Sequence, residues 1–128
     1  MADASRGTAG EVLAARFLRD KGYRILTTNY RSRFGEIDII AEKAPYIAFV
    51  EVKTRSENAL YTPKEAVTLQ KQRRIIRTAL LYLQHHPTEL QPRFDVVEVR
   101  TLQQSPMTAL ELDHIQGAYE TGDLHAAF

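Results

Sequence analysis

Three residues in the stretch GEIDIIAEKAPYIAFVEVKTR, Gly35 to Arg55, could do chemistry together. Asp38 and Glu51 offer carboxylates and Lys53 an amine, and all three interrupt segments otherwise rich in Ile, Val and Phe. In extended backbone successive side chains alternate faces, so Glu36 and Asp38 share one face while Ile37 and Ile39 share the other. Ile47, Phe49, Glu51 and Lys53 likewise project together, which sets Glu51 and Lys53 about 6 to 7 Å apart along the strand. A turn around Lys43 to Pro45 pairs the two segments as an antiparallel hairpin. If their charged faces coincide, Asp38 and Glu51 converge with Lys53 beside them. Burying carboxylates in a sheet is costly unless something pairs with them. One reading is a salt-bridge cluster at a sheet edge, with Lys53 and nearby arginines neutralising the acids. The other is a hard-cation site, in which oxygen ligands hold Mg²⁺ and the lysine orients or deprotonates an attacking water. Hydrolysis of a phosphodiester needs such a set: charge neutralised on the transferring phosphate, and a positioned nucleophile opposite the leaving oxygen.

The elements that must position these residues succeed one another with short connections. Ala9, Leu13 and Phe17, with Val12 and Leu18, recur at helical spacing from Thr8 to about Lys21, and Gly22 sits where a C-cap belongs. Tyr23 to Tyr30 reads as a strand and Arg31 to Gly35 as a turn. Thr62 and Glu65 form a T-x-x-E capping box with Pro63 at the first helical position. With the apolar stripe Leu69, Ile76, Leu80 and Leu83, this predicts a helix from about Pro63 to Leu83. Pro87 and Pro92 fence off Arg93 to Arg100, which alternates as a strand. Thr108 to Ile115 suggests a last strand, followed by helix or coil through QGAYE and a frayed end from Thr121. The order α-β-β-β-α-β, with room for one more strand, predicts an α/β fold: a mixed sheet with helices packed on it.

The chain has 128 residues, which suits one domain spanning 1–128 with its core over about 8–119. No apolar run is long enough for a bilayer, and MADASRGTAGEVLAARFL lacks the features of a secretory signal, so a cytoplasmic location and no membrane partner are expected. The absence of cysteine fits that compartment and excludes thiolate metal sites. The net charge of +1 hides an asymmetry: residues 1–88 carry 15 of the 17 basic and 9 of the 16 acidic residues, an excess of six positive charges. A polyanion is therefore drawn to the first two thirds of the chain. Arg31, Arg33 and Arg55 flank the acids at strand ends, where phosphates could lie, and Arg73, Arg74 and Arg77 form a second basic face. Tyr30 and Phe34 could stack on bases, though aromatics near a turn more often belong to the core. His85 and His86 read as helix C-terminal caps, and His114 and His125 have no identifiable partner in the sequence. No P-loop, dinucleotide, zincin or serine-hydrolase motif is present.

Asp38 followed by Glu51-Val52-Lys53 resembles the D…E-x-K signature of the PD-(D/E)xK nuclease superfamily. A narrower resemblance rests on five motifs in order: GxxGExxAxxFLxxxGY (Gly7 to Tyr23), NYRxRxGEIDxIA, FVEVKxR, AVxxxKQRR and RFDVV. Together they are similar to the YraN-like family of small bacterial proteins, related to archaeal Holliday-junction resolvases. The resemblance implies a restriction-endonuclease-like αβββαβ core and a metal-dependent endonuclease cutting DNA, branched recombination or repair intermediates included. It makes Glu11, Asp38 and Glu51 ligands of Mg²⁺ or Mn²⁺, Lys53 the catalytic lysine and Glu36 a supporting acid. Arg31, Arg33, Arg55, Lys71, Arg73 and Arg74 then hold DNA, branched or single-stranded, and self-association as a homodimer is compatible with it. The alternative is a module that keeps the fold and binds nucleic acid without cutting it. Departing from the family pattern, Tyr61-Thr62 stands where relatives carry a glycine before the proline turn.

Overall fold

The computed structural model describes residues 9–56, 67–101 and 109–120. Helix α1, Ala9–Asp20, is followed by strands β1 (Arg24–Arg31), β2 (Glu36–Lys43) and β3 (Tyr46–Ser56), helix α2 (Leu69–His85), and strands β4 (Gln91–Thr101) and β5 (Ala109–Tyr119). The expected αβββαβ order is present with one strand added. The five strands lie side by side in sequence order. All neighbours are antiparallel except β3 and β4, which run parallel because α2 carries the chain back between them. Among the described residues, no helix is long and apolar enough to cross a membrane.

Each helix covers one face of the sheet. Ala14, Ala15 and Leu18 of α1 pack with Ile39, Ala48, Val50 and Val97, while Ile75, Ile76, Ala79 and Tyr82 of α2 pack with Ile40, Ile47, Phe49 and Val96. Alternation along β3 produces this split, the odd positions facing α2. Helix α1 ends as its sequence predicts: Gly22, at φ +98°, allows Tyr23 N–H to bond Leu18 O (2.9 Å) and Gly22 N–H to bond Arg19 O (2.9 Å).

The second helix departs from expectation at its start. It begins at Leu69, with Thr68 extended as N-cap and its Oγ1 accepting the Lys71 N–H at 3.2 Å. The Thr62–Glu65 box, Pro63 and the Tyr61-Thr62 departure lie outside the described residues. The stripe is also rotated, since Leu69 is 55% and Leu80 38% exposed, whereas Ile75, Ile76, Thr78, Ala79 and Tyr82 face the sheet. At the far end His86 N–H caps Tyr82 O (2.8 Å) and His85 Nδ1 donates to Leu81 O (3.0 Å), as expected of both histidines.

QGAY belongs to β5, which ends at Tyr119, and only Glu120 lies outside the strand. The register slips between Phe94↔Tyr119 and Val96↔Ile115, and Gly117, at φ +60°, forms the bulge. Buried Asp95 fills it, accepting from Gly117 N–H (3.0 Å), from Arg93 and from His114 Nε2 (2.7 Å), while Lys21 Nζ donates to His114 Nδ1 (2.7 Å). His114 thus has partners on two elements that no sequence spacing announces. Burial alone would raise the Asp95 carboxyl, but these bonds from His114, Arg93 and Gly117 hold it below the ordinary carboxylate range.

Candidate active site

The acids gather where the sheet forks. The β2–β3 ladder runs from Lys43↔Tyr46 to Ile39↔Val50 and stops just before Asp38 and Glu51 would pair. There Asp38 Oδ2 accepts the Val52 N–H at 2.8 Å, standing in for a ladder carbonyl. On the other side Thr28↔Ile39 and Tyr30↔Ile37 leave Asn29 opposite Asp38, with Asn29 at φ +53°. Asparagine is among the few non-glycine residues that tolerate this region. The kink corrects strict alternation: Ile37 joins the core under α2 while Ile39 stays under α1, so the two do not share a face.

Glu51, only 6% exposed, faces α2 beyond the end of the ladder. Its Oε2 is met by Lys71 Nζ at 2.6 Å and by Lys53 Nζ at 3.4 Å. Lys71 stands in the first turn of α2, which contains no acid. A cation there opposes the helix dipole, and Glu51 offsets that penalty. Asp38, Glu51 and Lys71 line one pocket of about 460 Å³ together with Glu36 and Arg74.

Burial, then the charge of Glu51 and more weakly that of Glu11, push the Asp38 carboxyl up to about 7, against the pull of Val52 N–H and Lys71. The two lysines are driven apart. Burial lowers the Lys53 ammonium despite the attraction of Glu51, and neighbouring Lys71 lowers it further. Burial also works against the charge of Lys71, but its hydrogen bond and attraction to Glu51 outweigh this and raise it. Groups of one type split in this way are suited to different roles, one keeping its proton and the other ready to exchange it.

Glu11 reaches the fork because α1 comes unusually close to β3. A Cβ on Gly10 would collide with Thr54 Oγ1, so any larger residue forces the Thr54 side chain or the helix to shift. With its amide oriented by the surrounding acceptors, Asn29 donates to Glu11 Oε1 (3.2 Å) and Glu36 Oε2 (3.3 Å), tying both acids to the kink. Sequence reasoning missed Asn29; its signal was an asparagine inside an otherwise β-prone run. Sequence reasoning had also left the two lysines' shared carboxylate unseen.

The carboxylates are hard oxygen donors, the kind Mg²⁺ and Mn²⁺ take. No three acids or histidines among the described residues stand close enough to enclose an ion by themselves. Mg²⁺ does not need such a cage, since it keeps several waters and uses one or two carboxylates plus substrate phosphate. The donor set fits an ion of that class.

The basic residues divide. Arg33, Arg73 and Arg74 are exposed on the α2 side of the site, and Arg31, its side chain 60% exposed, lies 4.0 Å from Glu36. Arg55 is a correction: its side chain is 3% exposed and its Nε lies 2.7 Å from Glu98 of β4, itself 1% exposed, so it is not a surface residue for a strand to meet. The parallel register that sets Lys53 against Glu98 brings this about. Lys71 is relocated rather than removed, from an open basic face to the acids themselves.

A protein-family model described as "Uncharacterised protein family UPF0102" matches residues 10–99, which include every acid of the fork and both lysines. A UPF0102 protein of Chlorobium chlorochromatii is 44% identical over 115 residues, 88% of this chain and 89% of the relative. One from Nocardia farcinica is 49% identical over 115 residues, 88% and 87% of the two chains. One from Symbiobacterium thermophilum is 55% identical over 94 residues, 73% and 80%. Those names state a family and no activity. With the profile spanning the fork and these relatives matching most of both chains, the protein belongs to the UPF0102 family, the YraN-like family its motifs resemble.

Proposed function

We propose that this protein is a metal-dependent endonuclease that hydrolyses DNA phosphodiesters, branched recombination or repair intermediates among them. The observation that carries the reading is the fork itself: buried Glu51 and half-buried Asp38 stand side by side, with Asp38 pushed up to about 7. A sheet gains no stability from placing two acids there. Asp38 and Glu51 would hold Mg²⁺ or Mn²⁺, with Glu11 reaching it through water and Glu36 in support through Asn29. Such an ion supplies positive charge to the transferring phosphate and makes a bound water more acidic. Lys53, whose ammonium is lowered by burial, gives up its own proton more readily than an ordinary lysine, and the free amine then orients the attacking water and accepts its proton at Nζ. Lys71 keeps its proton and holds the Glu51 carboxylate toward the pocket. Arg31, Arg33, Arg73 and Arg74 carry the backbone contacts, for which the guanidinium fork is suited.

The test is incubation of pure protein with labelled linear, single-stranded and four-way DNAs in Mg²⁺, Mn²⁺ or EDTA. Divalent-dependent fragments are expected, and a gel shift with no cleavage in any metal would reject the enzyme. That outcome favours the second reading, a non-cleaving nucleic-acid-binding module, which one observation supports: Lys71 and Lys53 already neutralise Glu51. A homodimer and a cytoplasmic location fit either reading and are tested by sedimentation and by fractionation.

A further inference from the structure

Beside the acid pocket lies a second hollow of about 320 Å³, lined by Arg33, Phe34, Gln70, Arg73, Arg74 and Arg77. Gln70 and Arg74 belong to both walls, so the two spaces adjoin. Among the described residues, four guanidinium groups and no carboxylate line this hollow. Among the described residues, Arg33, Arg73 and Arg74 pair with no acid, which leaves their charge uncompensated.

Phe34 organises the cluster. The Arg33 guanidinium lies 4.9 Å and that of Arg77 5.7 Å from its ring centroid, so the ring is engaged by cations rather than offered to a nucleobase. The turn carrying it is fastened: Phe34 N–H bonds Ser32 Oγ (3.0 Å), Ser32 Oγ bonds Thr78 Oγ1 of α2 (2.9 Å), and Ser32 N–H bonds Gly35 O (2.8 Å). The turn and the helix that carry these arginines are thereby fastened to each other before any ligand arrives, which reduces the ordering cost of binding.

We infer that this arginine hollow receives a terminal phosphomonoester of the nucleic acid, so that the adjoining acids act at a fixed, short distance from a phosphorylated end. An internal phosphodiester passing by carries one negative charge. A terminal monoester carries about −1.5 to −2 at neutral pH and three acceptor oxygens, matching a pocket with several donors and no acid. Guanidinium groups bind such oxygens in pairs. The assignment rests on the nuclease reading only for the cutting that comes after binding, since recognition of the end is a property of the hollow alone.

The test is fluorescence anisotropy in EDTA, where no cutting occurs, with one labelled single strand bearing a 5′-phosphate, a 3′-phosphate or hydroxyls at both ends. A phosphorylated end should bind about tenfold tighter than the hydroxyl form, the scale of added charge-assisted contacts. The preference should vanish in Arg33→Gln/Arg73→Gln, both exposed, and shrink in Phe34→Leu, which keeps every charge but removes the platform. Equal binding of all three strands overturns the inference, as does a preference that survives in the double variant. So does a mononucleotide that competes as well as the phosphorylated strand, which would make the ligand a free nucleotide. A protein that prefers phosphorylated ends but never cuts keeps the hollow's assignment and loses the nuclease reading. One that cuts in Mg²⁺ but ignores the end does the reverse.

Discussion

Asp38→Asn should make the metal-free protein more stable than wild type at neutral pH, an advantage that disappears in acid. In the folded chain the Asp38 carboxyl titrates at about 7 instead of 3.8. Between those values the folded state keeps a proton that the unfolded chain has released, so stability falls as pH rises and the loss is complete above about pH 7. A separation of roughly three pH units, at about 1.4 kcal/mol each, sets a ceiling on the order of 4 kcal/mol. Glu51 and Lys71 readjust as Asp38 ionises, so about 1–3 kcal/mol is expected. Asparagine retains the bond that matters locally, its Oδ1 accepting from Val52 N–H, and offers an N–H where Asp38 offered charge to Glu51. Urea unfolding in EDTA at about pH 5 and about pH 8 measures the difference. Wild type should lose stability across this interval through Asp38, while Asp38→Asn should change less. If Asp38→Asn were destabilised by a similar amount at both pH values, the carboxylate would be a structural acceptor and its raised titration would not mark a working site.

Lys53→Met should leave the metal-free fold intact and preserve or strengthen stabilisation by Mn²⁺, since a nearby ammonium repels a divalent ion, while cleavage falls by roughly 10²-fold or more. Thermal melts beside the cleavage assay read both, and full activity in the variant would make Lys53 structural. Gly10→Ala should displace α1 from Thr54 and with it Glu11, lowering cleavage; removing the obstructing hydroxyl in Gly10→Ala/Thr54→Ala should restore much of it, and a double variant no better than the single would refute the link. Arg55→Met leaves Glu98 buried without its closest cation and should destabilise the protein by about 3–5 kcal/mol, with no change in the salt dependence of DNA binding. A shallower salt dependence with unchanged stability would return Arg55 to the surface role its sequence position suggests.

How far the site could be read from sequence depends on the range of the forces involved. Alternation is a local property, so the convergence of Asp38, Glu51 and Lys53 was legible from spacing once a turn joined the two strands, whereas the kink that turns Ile37 to the α2 face was not. The helix between β3 and β4 was legible as an element and misread in phase: T-P-K-E has the residues of a cap, yet Thr68 is the N-cap of α2, and this places Lys71 over Glu51. A helix begins where packing beneath it begins, and buried Val67 just before the cap marks that point. Arg55 and His114 were beyond reach for a different reason. Their partners, Glu98 and Asp95, lie on β4, and a parallel register or a bulge around Gly117 has no signature within a single strand. What remained legible throughout was conflict with local preference, the acids in β-prone sequence, whereas the cation in the first turn of α2 became visible only with the true helix start. The fork resolves these against one another, Glu51 answering Lys71 and Asp38 answering the open N–H of Val52. At the fork Asp38 is left with its carboxyl pushed up to about 7. On the endonuclease reading that departure is kept for chemistry, and the pH dependence of Asp38→Asn is the measurement that separates a working site from a salt-bridge cluster.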